Sequence, residues 1–237
     1  MQYKEEDKIV FSFLDRQWQI YRADMELLWE NMVTNAHNSQ NYDDEKLPYW
    51  AELWPSSFAL AHFLEKNKSL IEKQNCLDLG CGLGFTALCG TVLGAKVLAV
   101  DYDDEAILLA KYNAKMNNIL FYENIKDYYA QNHYTLCIHN MDWRKPCIKE
   151  KSLPFIWAAD IAYERKFMSE ILTFLNFALS PQGIFWIAEP SRTIYQYFID
   201  EVKKFPFNIK KVYTEKTQAI NKNILSANVN IWEITRK

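Results

Sequence analysis

At 237 residues, about half of them apolar, the chain can bury one large core but is short for two full domains. A net charge of −3 and a high aromatic content exclude a surface built mainly to neutralise nucleic-acid phosphates. The amino terminus MQYKEEDKIVFSF lacks a basic segment followed by an apolar one. No window is long and uncharged enough to span a bilayer, so neither a secretory signal nor a membrane span is expected.

In chain order, residues 8 to 36 place Ile9, Phe13, Leu14, Trp18, Ile20, Tyr21, Met25, Leu28 and Trp29 at mostly helical spacing, which predicts a helical N-terminal extension over 1–46. The polar stretch NAHNSQNYDDEK, ended by Pro48, then reads as a loop into a main domain over 47–237. From there strand-like and helix-like segments alternate, the pattern of a largely parallel sheet covered on both faces. Strands are predicted at 75–79, 96–101, 135–140, 155–159 and 183–188. Helices are predicted at 56–66, 85–93, 104–117, 164–179 and 192–204. In the fourth of these, Ile171, Leu172, Phe174, Leu175 and Leu179 share one face. NIKKVYTEK and ILSANVNIWEI alternate in period two around TQAINKN and predict a terminal antiparallel pair. The fold class is therefore α/β: a Rossmann-like, doubly wound, seven-stranded sheet with its last strand pair antiparallel. LFYENIKDYYAQNHY, within 118–134, reads as an inserted surface element.

Five of the chain's six glycines, Gly80, Gly82, Gly84, Gly90 and Gly94, fall in or just after NCLDLGCGLG. At the carboxyl end of a strand, Gly80, Gly82 and Gly84 form a tight turn that a ligand edge can approach closely. Asp101 ends the next strand, at the distance where a carboxylate reaches a ribose and accepts two hydroxyl hydrogen bonds. A dinucleotide fingerprint requires a third glycine where Phe85 stands, so an NAD-dependent dehydrogenase is disfavoured. Trp50 reads as a core anchor, and Pro55 as the first residue of a helix. FIWAADIAYE sets Asp160 and Tyr163 at the sheet's carboxyl edge, where reacting groups belong in this architecture. Asp160 also reads as a cap for the helix beginning near Glu164, Asp142 as a turn residue capping local amides, and Arg192 as a solvent-facing first-turn residue.

These residues carry a resemblance. LDLGCGLG, VLAVDYD and NMDW resemble the first three cofactor motifs of class I S-adenosylmethionine-dependent methyltransferases, and the likeness spans residues 47–237. It implies that Asp78 and the glycines line the methionine part, that Asp101 lies at the ribose, that Asp142 with the Trp143 backbone holds the adenine, and that Tyr102 also belongs to the cofactor site. PYWAELWPSS resembles the segment before the cofactor strand in the seven-β-strand lysine methyltransferases called family 16. It is especially similar to the branch that contains the electron-transfer flavoprotein β-subunit lysine methyltransferase and the bacterial relatives of that enzyme, where Trp54 and Ser57 would flank the cofactor. DIAY, Asp160 to Tyr163, resembles the D-x-x-Y motif of that group and implies these two as catalytic residues. AEPSRT resembles its D-P-G-R segment, with Glu for Asp and Ser for Gly.

The activity so implied is N-methylation with S-adenosylmethionine as cofactor, the acceptor being a protein lysine. A small-amine N-methyltransferase of nicotinamide type, or a catalytically silent binding module of the same fold, are the alternatives. Asp160 would orient the incoming ammonium rather than act as its base. The five cysteines show no C-x-x-C or zinc spacing, and His37, His62, His133 and His139 no ligand spacing, so no metal is expected and a reducing, cytoplasmic compartment fits. A monomer acting without nucleic acid or membrane completes the expectation. The basic carboxyl-terminal lysines read as a solvated face.

Overall fold

The computed structural model describes residues 7–24, 27, 28, 30, 48–131, 135–218 and 226–237. Much of 25–36, the loop up to Lys46 and most of TQAINKN therefore lie outside the described residues.

The first element corrects the sequence reading. Residues 8–21 form an antiparallel hairpin, β1 (Lys8–Phe13) paired with β2 (Arg16–Tyr21), not helix. Leu14 and Asp15 both take left-handed backbone, φ 49° and 54°, the two-residue turn whose twist suits a hairpin. Ile9, Phe11 and Phe13 on β1, with Trp18 and Ile20 on β2, alternate in period two and turn to the core, while Val10, Ser12 and Gln17 face out. The doubled apolar pairs Phe13–Leu14 and Ile20–Tyr21 imitate helical spacing and mask that alternation.

Beyond it run α1 (Pro55–Lys66), β3 (Asn75–Leu79), α2 (Phe85–Val92), β4 (Lys96–Asp101), α3 (Asp104–Met116), β5 (Phe121–Tyr122), α4 (Ile125–Ala130) and β6 (Leu136–Asn140). Then follow β7 (Leu153–Ala159), α5 (Arg165–Ala178), β8 (Leu179–Glu189), α6 (Tyr195–Val202), β9 (Phe207–Lys216) and β10 (Asn228–Arg236). Pro55 opens α1 where its missing N–H costs nothing. Asp103 caps α3, its carboxylate accepting from the Glu105 and Ala106 amides.

The main sheet has eight strands in the order β5-β6-β4-β3-β7-β8-β10-β9, one more than expected. The extra strand is the two-residue β5, paired parallel to β6 within the segment read as a surface insertion. That segment is also no mere surface element: Tyr128 on α4 is fully buried against the sheet. β4, β6, β7 and β8 continue parallel from β3, and β10 alone inserts antiparallel between β8 and β9. Two apolar cores sandwich the sheet. One gathers α1, α2, α3 and the hairpin around Cys76, Val97 and Trp157. The other gathers α5 and α6 around Leu77, Leu79, Val100 and Ile156. Alternate residues of β3 feed opposite cores, as a strand buried on both faces requires.

Candidate active site

The chain runs outward from β3 in both directions, to β4 and β6 on one side and to β7 and β8 on the other. The crevice beyond the carboxyl ends of these strands is where such a sheet binds ligands. A cleft of about 740 Å³, counting its open mouth, lies there. Its floor is the β3 turn, Asp101 and Tyr102 from β4, Trp143 after β6, and Ala159 to Tyr163 after β7, and Tyr49 to Ser57 form its wall. The size suits a small molecule. Among the described lining residues Glu52, Asp101 and Asp160 are acidic; Arg22 pairs with Glu52 at 2.6 Å and Arg192 with Asp160 at 3.1 Å from behind, while Asp101 accepts from backbone amides.

The turn is shaped for close approach. Gly80 sits at φ +68°, and a Cβ there would meet the Ile161 side chain at 2.8 Å. Gly82, at φ +49°, donates its amide to Asp101 Oδ2 at 3.0 Å, and Asp101 Oδ1 accepts from Asp103 N at 3.1 Å. The carboxylate is thereby fixed with lone pairs to spare, while burial pushes its pKa up to about 6. Gly84 does not line the cleft; it opens α2 and its α-carbon faces Ala110. Asp78 does not line it either. Fully buried beneath the turn, it accepts from the Thr86 hydroxyl at 2.6 Å, and burial pushes its pKa up to about 7 against that hydrogen bond.

Asp160 stands at φ +57°, a strained backbone for a non-glycine residue and of the kind that gathers at functional sites. Its side chain is only 8% exposed and pairs with Arg192 Nη2 at 3.1 Å. Burial raises its pKa to about 6, Arg192 pulls it down and Glu189 pushes it up. It caps no helix, since α5 begins at Arg165 after Glu164 without a side-chain cap. Arg192 is accordingly no idle solvent residue. Its amide donates to Glu189 Oε2 at 3.1 Å, and Glu189 Oε1 accepts from Asn230 at 2.7 Å and Trp232 at 3.2 Å. The Glu-Pro-Ser-Arg turn is thus locked to β10 and aims the guanidinium at Asp160.

Tyr163 lines the cleft edge-on to Tyr49, ring centres 4.7 Å apart, and burial holds its hydroxyl protonated. Trp54 and Ser57 line it as well, with the Trp54 indole donating to Tyr49 O at 2.8 Å. Trp50 packs on the core and also borders the cleft, its carbonyl 3.4 Å from where a Gly82 Cβ would stand. Trp143 is present in the lining, but neighbouring Asp142 is not: its carboxylate is taken by the Arg144 amide and guanidinium at 2.8 to 3.0 Å. Tyr49, Glu52 and Ile161 are lining residues that sequence reasoning missed, whereas Cys81 lines the cleft as its place in the glycine turn leads one to expect. Tyr49 and Glu52 belong to PYWAELWPSS, in which Trp54 and Ser57 carry the resemblance. Among the described residues no three His, Cys, Asp or Glu side chains cluster as a metal would require. Cys81 is buried beside Asp101, and burial pushes its thiol well up, so it is inert.

Fold and cleft together define a Rossmann-like methyltransferase class, and comparison with known proteins agrees. By structure the chain is similar to Pyrococcus horikoshii TYW2, solved in complex with MeSAdo, at TM-score 0.54 and 14% identity over 99% of this chain and 74% of that one. By sequence it is similar to the zebrafish electron transfer flavoprotein beta subunit lysine methyltransferase, 41% identical over 73 residues, 30% of this chain and 28% of that relative. It is also similar to mouse protein-lysine methyltransferase METTL21E, 25% identical over 193 residues, 78% of this chain and 73% of the relative. The profile of the lysine methyltransferase family matches residues 40–205, and the chain belongs to that family.

Proposed function

We propose that the protein transfers a methyl group from S-adenosylmethionine to a protein lysine side chain, with residues 47–237 as the catalytic unit. The observation that carries this reading is the strained, buried Asp160, braced by Arg192, at an aromatic cleft beside the glycine turn. The residues fit the cofactor. Asp101 offers oriented lone pairs to two vicinal hydroxyls, the Gly80–Gly82 backbone gives way to close approach, and the acidic lining suits a sulfonium and an ammonium. When bound, the cofactor supplies an electrophilic methyl group.

Asp160 is mostly ionised at neutral pH and binds the acceptor ammonium by a charge-assisted hydrogen bond. Tyr49, Trp54 and Tyr163 present π-faces to the same cation and keep water from its flank. The amine must lose a proton before it attacks, and the ionised carboxylate favours the charged form, so the proton leaves to solvent at the open mouth and Asp160 acts as an orienter. The cysteine pattern supports action in a reducing compartment, the cytosol. Among the described residues no helix is long and apolar enough to cross a membrane.

The test is mass spectrometry of host lysate incubated with the enzyme and heavy-methyl S-adenosylmethionine. A lysine gaining mass in methyl steps supports the reading. Label confined to small metabolites would replace the acceptor with a small amine.

A further inference from the structure

Asn113, on the inner face of α3, is fully buried, and its amide makes three backbone contacts. Oδ1 accepts from Tyr21 N at 2.8 Å, while Nδ2 donates to Tyr21 O at 3.1 Å and to Leu83 O at 3.0 Å. Leu83 lies in the cofactor turn, between Gly82, whose amide holds Asp101, and Gly84, which opens α2. One turn further on, Asn117 repeats half of this. It bonds Gln19 N at 3.0 Å and Gln19 O at 2.7 Å but reaches only Asn113 O in its own helix, and not the turn. The two amides thus stand in for a neighbouring strand along the free edge of β2. Only Asn113 extends the tie to the site.

We propose that Asn113 is a positioning residue for cofactor binding: one amide, anchored on Tyr21 of the hairpin, sets the Leu83 carbonyl and with it the Gly82 amide that orients Asp101. The turn's glycines, in left-handed backbone, have no side chains to fix them; backbone bonds from Cys81 N to Val100 O and from Gly84 N to Cys81 O hold its ends, and the Asn113 amide adds a hold on the Leu83 carbonyl between them. The hairpin, which precedes the stretch matched by the family, is thereby hydrogen-bonded to the glycine turn, in addition to packing Phe11, Phe13 and Trp18 on the lining residue Phe85. A second tie runs the same way: Arg22, just after β2, pairs at 2.6 Å with Glu52 in the cleft wall.

The inference rests on the cleft being the cofactor site, and calorimetry with S-adenosylmethionine separates the two. Asn113→Leu removes the tie to Leu83, and Asn117→Leu frees the same hairpin edge while leaving that tie intact. With circular dichroism confirming the folded state, N113L should bind the cofactor roughly fivefold to tenfold more weakly, the worth of about one buried hydrogen bond. N117L should stay within about twofold of wild type, since a mutation outside the tie adds nothing to binding. If N113L does not fold, Asn113→Ser, too short to span to Leu83, takes its place. An N113L or N113S affinity within about twofold of wild type, or an equal loss in N117L, overturns the positioning role, because hairpin stability alone would then explain it. Failure of the wild type to bind would instead remove the cofactor reading itself.

Discussion

Asp160 and Arg192 form a pair in which each sets the other's usefulness. Burial pushes the Asp160 pKa up and the guanidinium at 3.1 Å pulls it back, leaving it at about 6. Asp160→Asn keeps the shape but loses the charge that holds an ammonium. Cofactor affinity should stay near wild type while turnover falls on the order of a hundredfold, the cost of a misplaced acceptor. Equal turnover would remove Asp160 from the reaction. Arg192→Gln should act through pH. Without the cation the Asp160 pKa rises, the carboxylate forms only at higher pH, and the acid limb of the rate profile moves upward. A pH–rate profile on a lysine-containing acceptor reads this directly, and an unmoved acid limb would show that Arg192 does not govern the carboxylate.

At the scale of elements, α2 can lie against β7 only because Gly90 lacks a side chain. A Cβ there would stand 2.7 Å from the fully buried Trp157 ring, which has no flexible end to yield. Gly90→Ala should therefore destabilise by about 1–3 kcal/mol through overpacking, against the small gain in helix propensity. Urea unfolding would show a lower midpoint at unchanged slope. A midpoint at or above wild type would mean the two elements separate freely. The hairpin shows how an element was misread. Its period-two signal was present in Ile9, Phe11, Phe13, Trp18 and Ile20, yet its turn uses Leu14 in left-handed backbone instead of the Asn-Gly or Asp-Gly that announces such a turn. The β7 and β8 strands, by contrast, were legible as short apolar runs because both faces are buried.

For the whole molecule, three buried carboxyls carry raised values: Asp78 at about 7, Asp101 at about 6 and Asp160 at about 6. Each binds a proton more tightly folded than unfolded, so each contributes stability that is present below about pH 4 and lost as pH rises through 6 to 7. Their contribution to the ligand-free protein's thermal midpoint should decline between pH 5 and 7.5. A cationic cofactor favours the ionised carboxylates, so the stabilisation by S-adenosylmethionine should be larger at pH 7.5 than at pH 5.5. Thermal melts with and without the cofactor at both values test it, and a ligand shift independent of pH would contradict the electrostatic account.

What the sequence determined by itself is local: strand and helix periodicity, a glycine turn where backbone must come close, and acids at the carboxyl ends of β4 and β7. Such signals need only neighbours in the chain. What tertiary structure alone decided is which of those residues meet. It drew Asp78 and Gly84 under the turn instead of into the cleft, gave Asp142 to Arg144, brought Arg192 to Asp160, and ran Asn113 from the hairpin to Leu83. Hydrogen bonds and ion pairs act over about 3 Å in space and carry no fixed spacing along the chain, so no period in the sequence encodes them.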